Sequence, residues 1–129
     1  MTVSIDKARA FLKRKQQANQ EQLSRLHARA VADASDIVRM IIQRYNPVRI
    51  YQWGSLLRPE MFREYSDIDL AVEGVREPER FFRMFGDAER MTNFPLDLLD
   101  IEKIAPEFAE LIKMKGIVVY ERENQPAHR

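Results

Sequence analysis

The sequence contains no cysteine, and its 129 residues include only two histidines and four glycines. The absence of cysteine excludes a disulfide framework, thiolate zinc sites and cysteine nucleophiles. The two histidines, His27 and His128, are too few for an imidazole-based metal cluster. Any bound metal must therefore use carboxylate oxygens, which favour hard ions such as Mg²⁺. No apolar run approaches the roughly 18 residues that a membrane span requires. Because no secretion signal is recognisable either, we expect a soluble, cytoplasmic protein.

The formal net charge of +1 conceals two regions of opposite sign. Residues 1–47 carry nine Lys/Arg against four Asp/Glu, which is +5, and residues 48–129 carry twelve against sixteen, which is −4. A basic N-terminal region is compatible with nucleic-acid binding through residues 7–29. We favour the simpler interpretation of a solvated helix with basic faces, and we do not expect nucleic acid as a partner.

A long helix is predicted at the N-terminus, over residues 1–46. No proline or glycine occurs between Ser4 and Arg44, and good helix formers dominate the segment. Apolar residues recur there at steps of three and four: Leu23, Leu26, Ala30, Ala34, Ile37 and Ile41. A helix broken once near Gln16–Gln20 remains an alternative to one continuous helix. Forty helical residues span about 60 Å, more than a compact body of about 35–40 Å. We therefore predict a homodimer in which residues 5–25 contact a second subunit.

A globular core is predicted over residues 47–122, followed by a flexible tail at 123–129. Alternating and β-branched segments predict strands over 48–53, 67–72, 94–100 and 117–120. Helical spacing predicts helices over 78–88 and 106–114, the first with Phe81, Phe82 and Phe85 on its inner side. The order β, β, α, β, α, β after a long helix indicates one α/β domain with a mixed sheet over residues 1–129.

Three carboxylates stand in strands that are otherwise apolar. Asp67 and Asp69 share one strand face because side chains alternate with a period of two. Asp97 lies between two leucines of a later strand. Like charges about 7 Å apart repel, and a divalent cation between them reverses the sign of that interaction. Asp100 is a rival for the third position, but by parity it lies on the face opposite Asp97.

The sequence resembles the minimal nucleotidyltransferase group of the DNA polymerase β superfamily. Three elements carry the resemblance, in order: Trp53-Gly54-Ser55, then, after eleven intervening residues, Asp67-Ile68-Asp69-Leu70, then Leu96-Asp97-Leu98-Leu99. The likeness covers about residues 30–122 and implies a polymerase-β-like catalytic core. A basic residue that often follows the Gly-Ser pair in this group is replaced here by Leu56-Leu57, so Arg58 or Arg63 is expected to substitute.

The resemblance also implies the roles of individual residues. Gly54 and Ser55, with Arg58, would bind the triphosphate of ATP or another nucleoside triphosphate. Asp67 and Asp69 would ligate two Mg²⁺ ions. Asp97 would share one of these ions and help to deprotonate the attacking hydroxyl group.

At the level of function, the resemblance implies a magnesium-dependent transferase. It would transfer a nucleoside monophosphate, AMP from ATP, to a hydroxyl group of a partner and release pyrophosphate. Proteins of this group are often encoded beside a small helical HEPN toxin and act as its antitoxin, in some cases by transferring AMP to a tyrosine. The alternative is a catalytically silent module that neutralises a partner by contact through its long helix.

Overall fold

The computed structural model describes residues 4–123. It confirms the predicted class, a mixed α/β fold preceded by a long helix. The elements are α1 (Ile5–Tyr45), β1 (Arg49–Trp53), two 3-10 turns (Ser55–Leu57 and Pro59–Met61), β2 (Ile68–Glu73), α2 (Pro78–Glu89), β3 (Leu96–Asp100), α3 (Pro106–Lys115) and β4 (Ile117–Glu121). The tail predicted to be flexible lies outside the described residues from residue 124 onward.

The four strands form one sheet in the order β3-β2-β1-β4. Strands β2 and β3 are parallel, whereas β1 runs antiparallel to both of its neighbours. One face of the sheet packs against α1 and α2 and holds the larger core, which includes Ile68, Leu70 and Val72. The other face packs against α3 through a smaller cluster of Tyr51, Ala71, Ile101, Ala109 and Ile112. The sheet is therefore a central layer with helices on both sides.

Helix α1 is continuous over 41 residues, so it has no break near Gln16–Gln20. It begins at Ser4, whose side chain accepts a hydrogen bond from the Lys7 amide, and ends at Asn46 in the left-handed conformation. Every residue from Ser4 to Gln22 is exposed. Burial starts in the second half of the helix, at Ala30, Ala34, Ile37, Met40, Ile41 and Tyr45. The first half therefore projects from the body, and the dimer through residues 5–25 stays a prediction.

One prediction about the core is wrong. Phe82 is 78% exposed, because the inner side of α2 follows the spacing of Phe81, Met84, Phe85 and Ala88 rather than that of adjacent phenylalanines. None of the helices within residues 4–123 is both long and apolar enough to cross a membrane.

Candidate active site

The three predicted carboxylates meet at one end of the β2–β3 pair. The parallel register places Asp69 directly opposite Asp97, and the antiparallel register places Trp53 on the other side of Asp69. Asp67 lies just before β2, where the Ile68 amide donates to the Pro95 carbonyl (2.9 Å) and joins the start of β2 to the segment before β3. The sheet register thus brings two distant segments of the sequence into one cluster.

Asp100, the rival for the third position, is not part of this cluster. It pairs with Val72 at the other end of β3 and is buried. Its Oδ1 accepts a hydrogen bond from the Glu102 amide (3.0 Å), which fixes the turn after the strand. Asp100 therefore has a structural role at the end of β3, and Asp97 is the acidic residue of this strand that neighbours Asp69.

The carboxylates of the cluster repel one another. Burial, followed by the charges of Asp97 and Asp67, raises the pKa of Asp69 to about 7. The pKa of Asp97 is also raised, first by burial and then by Asp67. Within residues 4–123, no three acidic or imidazole side chains are already arranged to hold one ion. Among the described residues no cation lowers the pKa of Asp69 or Asp97, so the cluster is a concentration of uncompensated negative charge.

Gly54 lets the backbone approach this cluster closely. Its φ of 85° lies in a region that other residues rarely adopt. A Cβ atom at this position would lie 2.2 Å from Oδ2 of Asp69, well inside contact distance. Glycine is required here for both reasons. Because glycine has no side chain, the turn after β1 can lie against the Asp69 carboxylate.

A cleft of about 380 Å³ opens beside this turn. One wall is the turn itself, with Ser55 and Arg58, and the opposite wall is α3, with Phe108, Leu111 and Lys115. Trp53 closes the apolar end, where its ring meets Phe108 edge to face at 6.4 Å between centroids. The cleft therefore combines aromatic and aliphatic surface with two cationic side chains next to the Gly-Ser turn.

Of the two arginines expected to substitute for the missing basic residue, only Arg58 lines the cleft. The guanidinium of Arg63 instead donates from Nη1 to the carbonyls of Phe62 (2.8 Å) and Glu60 (3.2 Å). Arg63 thus stabilises its own loop.

Sequence reasoning missed two residues near the turn. His27 is partly buried, and its Nε2 lies 2.8 Å from the Leu56 carbonyl oxygen. Lys115 reaches the cleft because Gly116 packs tightly on β1, where a Cβ would lie 2.7 Å from the Gln52 carbonyl oxygen. A glycine at the end of a helix was the available signal for Lys115, but no local pattern indicated His27.

Solved structures similar to this chain include the following two. One is a crystal structure of a toxin–antitoxin with AMP-PNP, at 16% identity and a TM-score of 0.56, covering 68% of this chain and 73% of the other. The second is a candidate minimal nucleotidyltransferase, at 30% identity and a TM-score of 0.52, covering 74% of this chain and 93% of the other. No curated protein matches the sequence significantly.

The family comparison agrees with the arrangement of the site. Residues 35–125 match the family described as Polymerase beta, Nucleotidyltransferase. The match covers the sheet, the Gly-Ser turn and all three clustered carboxylates. The chain therefore belongs to the polymerase β nucleotidyltransferase superfamily and resembles its minimal members, which confirms both the predicted family and the predicted class of enzyme.

Proposed function

We propose that this nucleotidyltransferase transfers AMP from ATP to a hydroxyl group of a partner protein, with Mg²⁺ held by Asp67, Asp69 and Asp97. The observation that carries the proposal is the position of Asp69, which lies between Asp97 and the Gly54 turn. An acidic cluster and a closely approaching glycine turn are the parts that a nucleotide–metal complex needs on its two sides.

The donor chemistry of the cluster fits magnesium. Its three side chains offer only carboxylate oxygens, which this ion prefers. The raised pKa values of Asp69 and Asp97 indicate that their ionised forms lack a nearby positive charge. Because the three groups do not yet form an ion site, their side chains must rotate toward one another on binding. Bound Mg²⁺ would neutralise the phosphates and the departing pyrophosphate.

The cleft next to the turn suits the nucleotide itself. Ser55 and the cations of Arg58 and Lys115 line one part of it, where the triphosphate would lie. The apolar surface of Phe108 and Leu111 would receive the base. Lys115 and Arg58 together supply the positive charge that Leu56-Leu57 does not provide after the Gly-Ser pair.

In the proposed reaction Asp97 accepts the proton of the attacking hydroxyl group. The ionised carboxylate is the form that accepts this proton. A bond forms between the hydroxyl oxygen and the α-phosphorus of ATP. The bond between that phosphorus and the oxygen bridging to the β-phosphate breaks, and pyrophosphate leaves.

A toxin is the partner that the comparisons favour. One of the two similar structures is a toxin–antitoxin pair with an ATP analogue. The present chain adds an exposed helical segment over Ser4–Gln22, whose surface can contact a second protein. We propose that the acceptor is a small helical toxin of the HEPN type and that the chain is its antitoxin.

The test is transfer of label from α-³²P-ATP to a co-expressed HEPN-type protein in the presence of Mg²⁺. Wild type is expected to label the partner and release pyrophosphate. Asp97→Asn should reduce labelling by at least about 100-fold, since a proton acceptor contributes 10²–10⁴ in rate.

The matched control is Asp100→Asn, which changes the same residue type in the same strand but on the opposite face. It should retain transfer. Activity in Asp97→Asn together with inactivity in Asp100→Asn would contradict the assignment. Binding of the partner by wild type without any labelling would identify the silent module instead.

A further inference from the structure

The turn after β1 leaves one buried carbonyl without a backbone donor. Its two hydrogen bonds run from Leu57 N to Gly54 O (3.2 Å) and from Arg58 N to Ser55 O (3.0 Å). The next carbonyl in this series belongs to Leu56, and the amide that would follow belongs to Pro59, which has no N–H. Arg58 has moreover left the helical region, with φ −128° and ψ 89°. The Leu56 carbonyl therefore needs a donor from elsewhere.

His27 supplies that donor from helix α1. Its Nε2 lies 2.8 Å from the Leu56 carbonyl oxygen. Because a carbonyl only accepts hydrogen bonds, Nε2 must carry the proton. Leu56 is 3% exposed, so water cannot readily replace the imidazole. This side chain therefore supplies the hydrogen bond that Pro59 cannot donate to the Leu56 carbonyl.

The imidazole ring of His27 also packs toward the segment that leads into the strand with Asp97. It meets Phe62 edge to face, with 5.1 Å between ring centroids. Phe62 in turn meets Phe94 edge to face at 6.3 Å, and Phe94 precedes the strand that carries Asp97. His27 is thus held in place by aromatic packing while its nitrogen holds the turn.

We propose that His27 is a positioning residue of the nucleotide site, whose hydrogen bond to the Leu56 carbonyl holds the Gly54–Ser55 turn in place beside Asp69. The turn can shift very little, because there is no space for even a methyl group between Gly54 and the Asp69 carboxylate. A turn that moves by a fraction of an ångström changes the fit of a bound triphosphate. The inference rests on the proposed function for its link to nucleotide binding.

Three variants separate this role from a general effect on stability. His27→Phe keeps an aromatic ring against Phe62 but removes the donor, and His27→Gln restores a donor of similar reach. Arg80→Met is the matched control. It removes another 2.8 Å bond from a side chain to a carbonyl, that of Tyr45, at the C-terminal end of α1.

The first measurement is the kinetics of Mg²⁺-dependent transfer from ATP. In His27→Phe we expect the KM for ATP to rise about tenfold, as for one unsatisfied buried carbonyl, with kcat within about twofold. His27→Gln should return KM to within about threefold of wild type, and Arg80→Met should leave both constants unchanged. A loss in kcat at constant KM, or an equal loss in His27→Gln, would overturn the proposal.

The second measurement is amide hydrogen exchange without nucleotide, which requires no activity. The Leu57 and Arg58 amides should exchange about tenfold faster in His27→Phe and at the wild-type rate in Arg80→Met. Unchanged exchange in His27→Phe would overturn the positioning role. If wild type transfers no label, the proposed function fails, while faster exchange at these two amides still supports the role of His27 in holding the turn.

Discussion

The two faces of strand β2 are built from alternate residues and have opposite properties. Ile68, Leu70 and Val72 are completely buried among side chains of α1 and α2. Asp69, between them, points to the face that α3 covers only in part, and its pKa is raised to about 7 by burial and by two neighbouring carboxylates. One face therefore stabilises the fold, while the other carries charges that destabilise it and that the proposed function requires.

The sharpest test of this comparison is Asp69→Asn. Transfer is expected to fall by at least about 1,000-fold, equivalent to about 4 kcal/mol of transition-state stabilisation. The fold should persist with equal or higher stability, since repulsion from Asp97 and Asp67 is relieved. Labelled transfer and thermal denaturation measure the two effects. A variant that unfolds would show that Asp69 belongs to the stabilising face.

Leu70→Ala tests the buried face of β2, at the residue that follows Asp69. Removal of a completely buried leucine should lower the free energy of unfolding by about 2–5 kcal/mol, measured by denaturant titration. Val118→Ala, at a position 51% exposed in the edge strand β4, is the control and should change stability by no more than about 0.5 kcal/mol. Equal losses in both variants would remove the distinction between the faces.

Gly54→Ala tests the contact between the turn and the cluster. A Cβ at φ 85° and 2.2 Å from the Asp69 carboxylate should cost about 1–3 kcal/mol of stability and weaken ATP binding, measured by calorimetry with Mg²⁺. Gly86→Ala is the matched control within α2, because its Cβ would meet nothing nearer than 3.5 Å. That variant should be slightly more stable than wild type. Unimpaired ATP binding in Gly54→Ala would contradict the proposed site.

The smallest expected effect is a dependence of stability on pH. A carboxyl whose pKa rises on folding binds more protons in the folded state, so stability falls as pH increases from about 4 to about 7. Because Asp69 is only partly buried, solvent screening limits the loss to about 1 kcal/mol. The melting temperature without divalent ions should therefore be lower at pH 8 than at pH 5.5. The difference should shrink in Asp69→Asn and on addition of Mg²⁺.

Much of the site could be predicted because it depends on local pattern and strand parity. Asp67 and Asp69 are two residues apart, and parity separates Asp97 from Asp100. These features need only the period of a β-strand and the register of one parallel pair.

The remaining features depend on contacts between distant segments. His27 and Leu56 are 29 residues apart and meet because α1 crosses the turn, which no periodicity encodes. The predicted burial of Phe82 is wrong for a local reason, because three phenylalanines within five residues cannot all face one side of a helix. The position of Lys115 in the cleft depends on how closely α3 packs on β1. The missing side chain at Gly116 permits that close packing.

The uninterrupted helix α1 has a consequence for the size of any partner. Residues 5–22 extend about 27 Å as a stiff rod before the helix reaches the body. A molecule that touches both the tip of this rod and the mouth of the cleft must bridge a distance of this order. The rod therefore sets a minimum span of about 27 Å for a proposed partner protein that contacts both places.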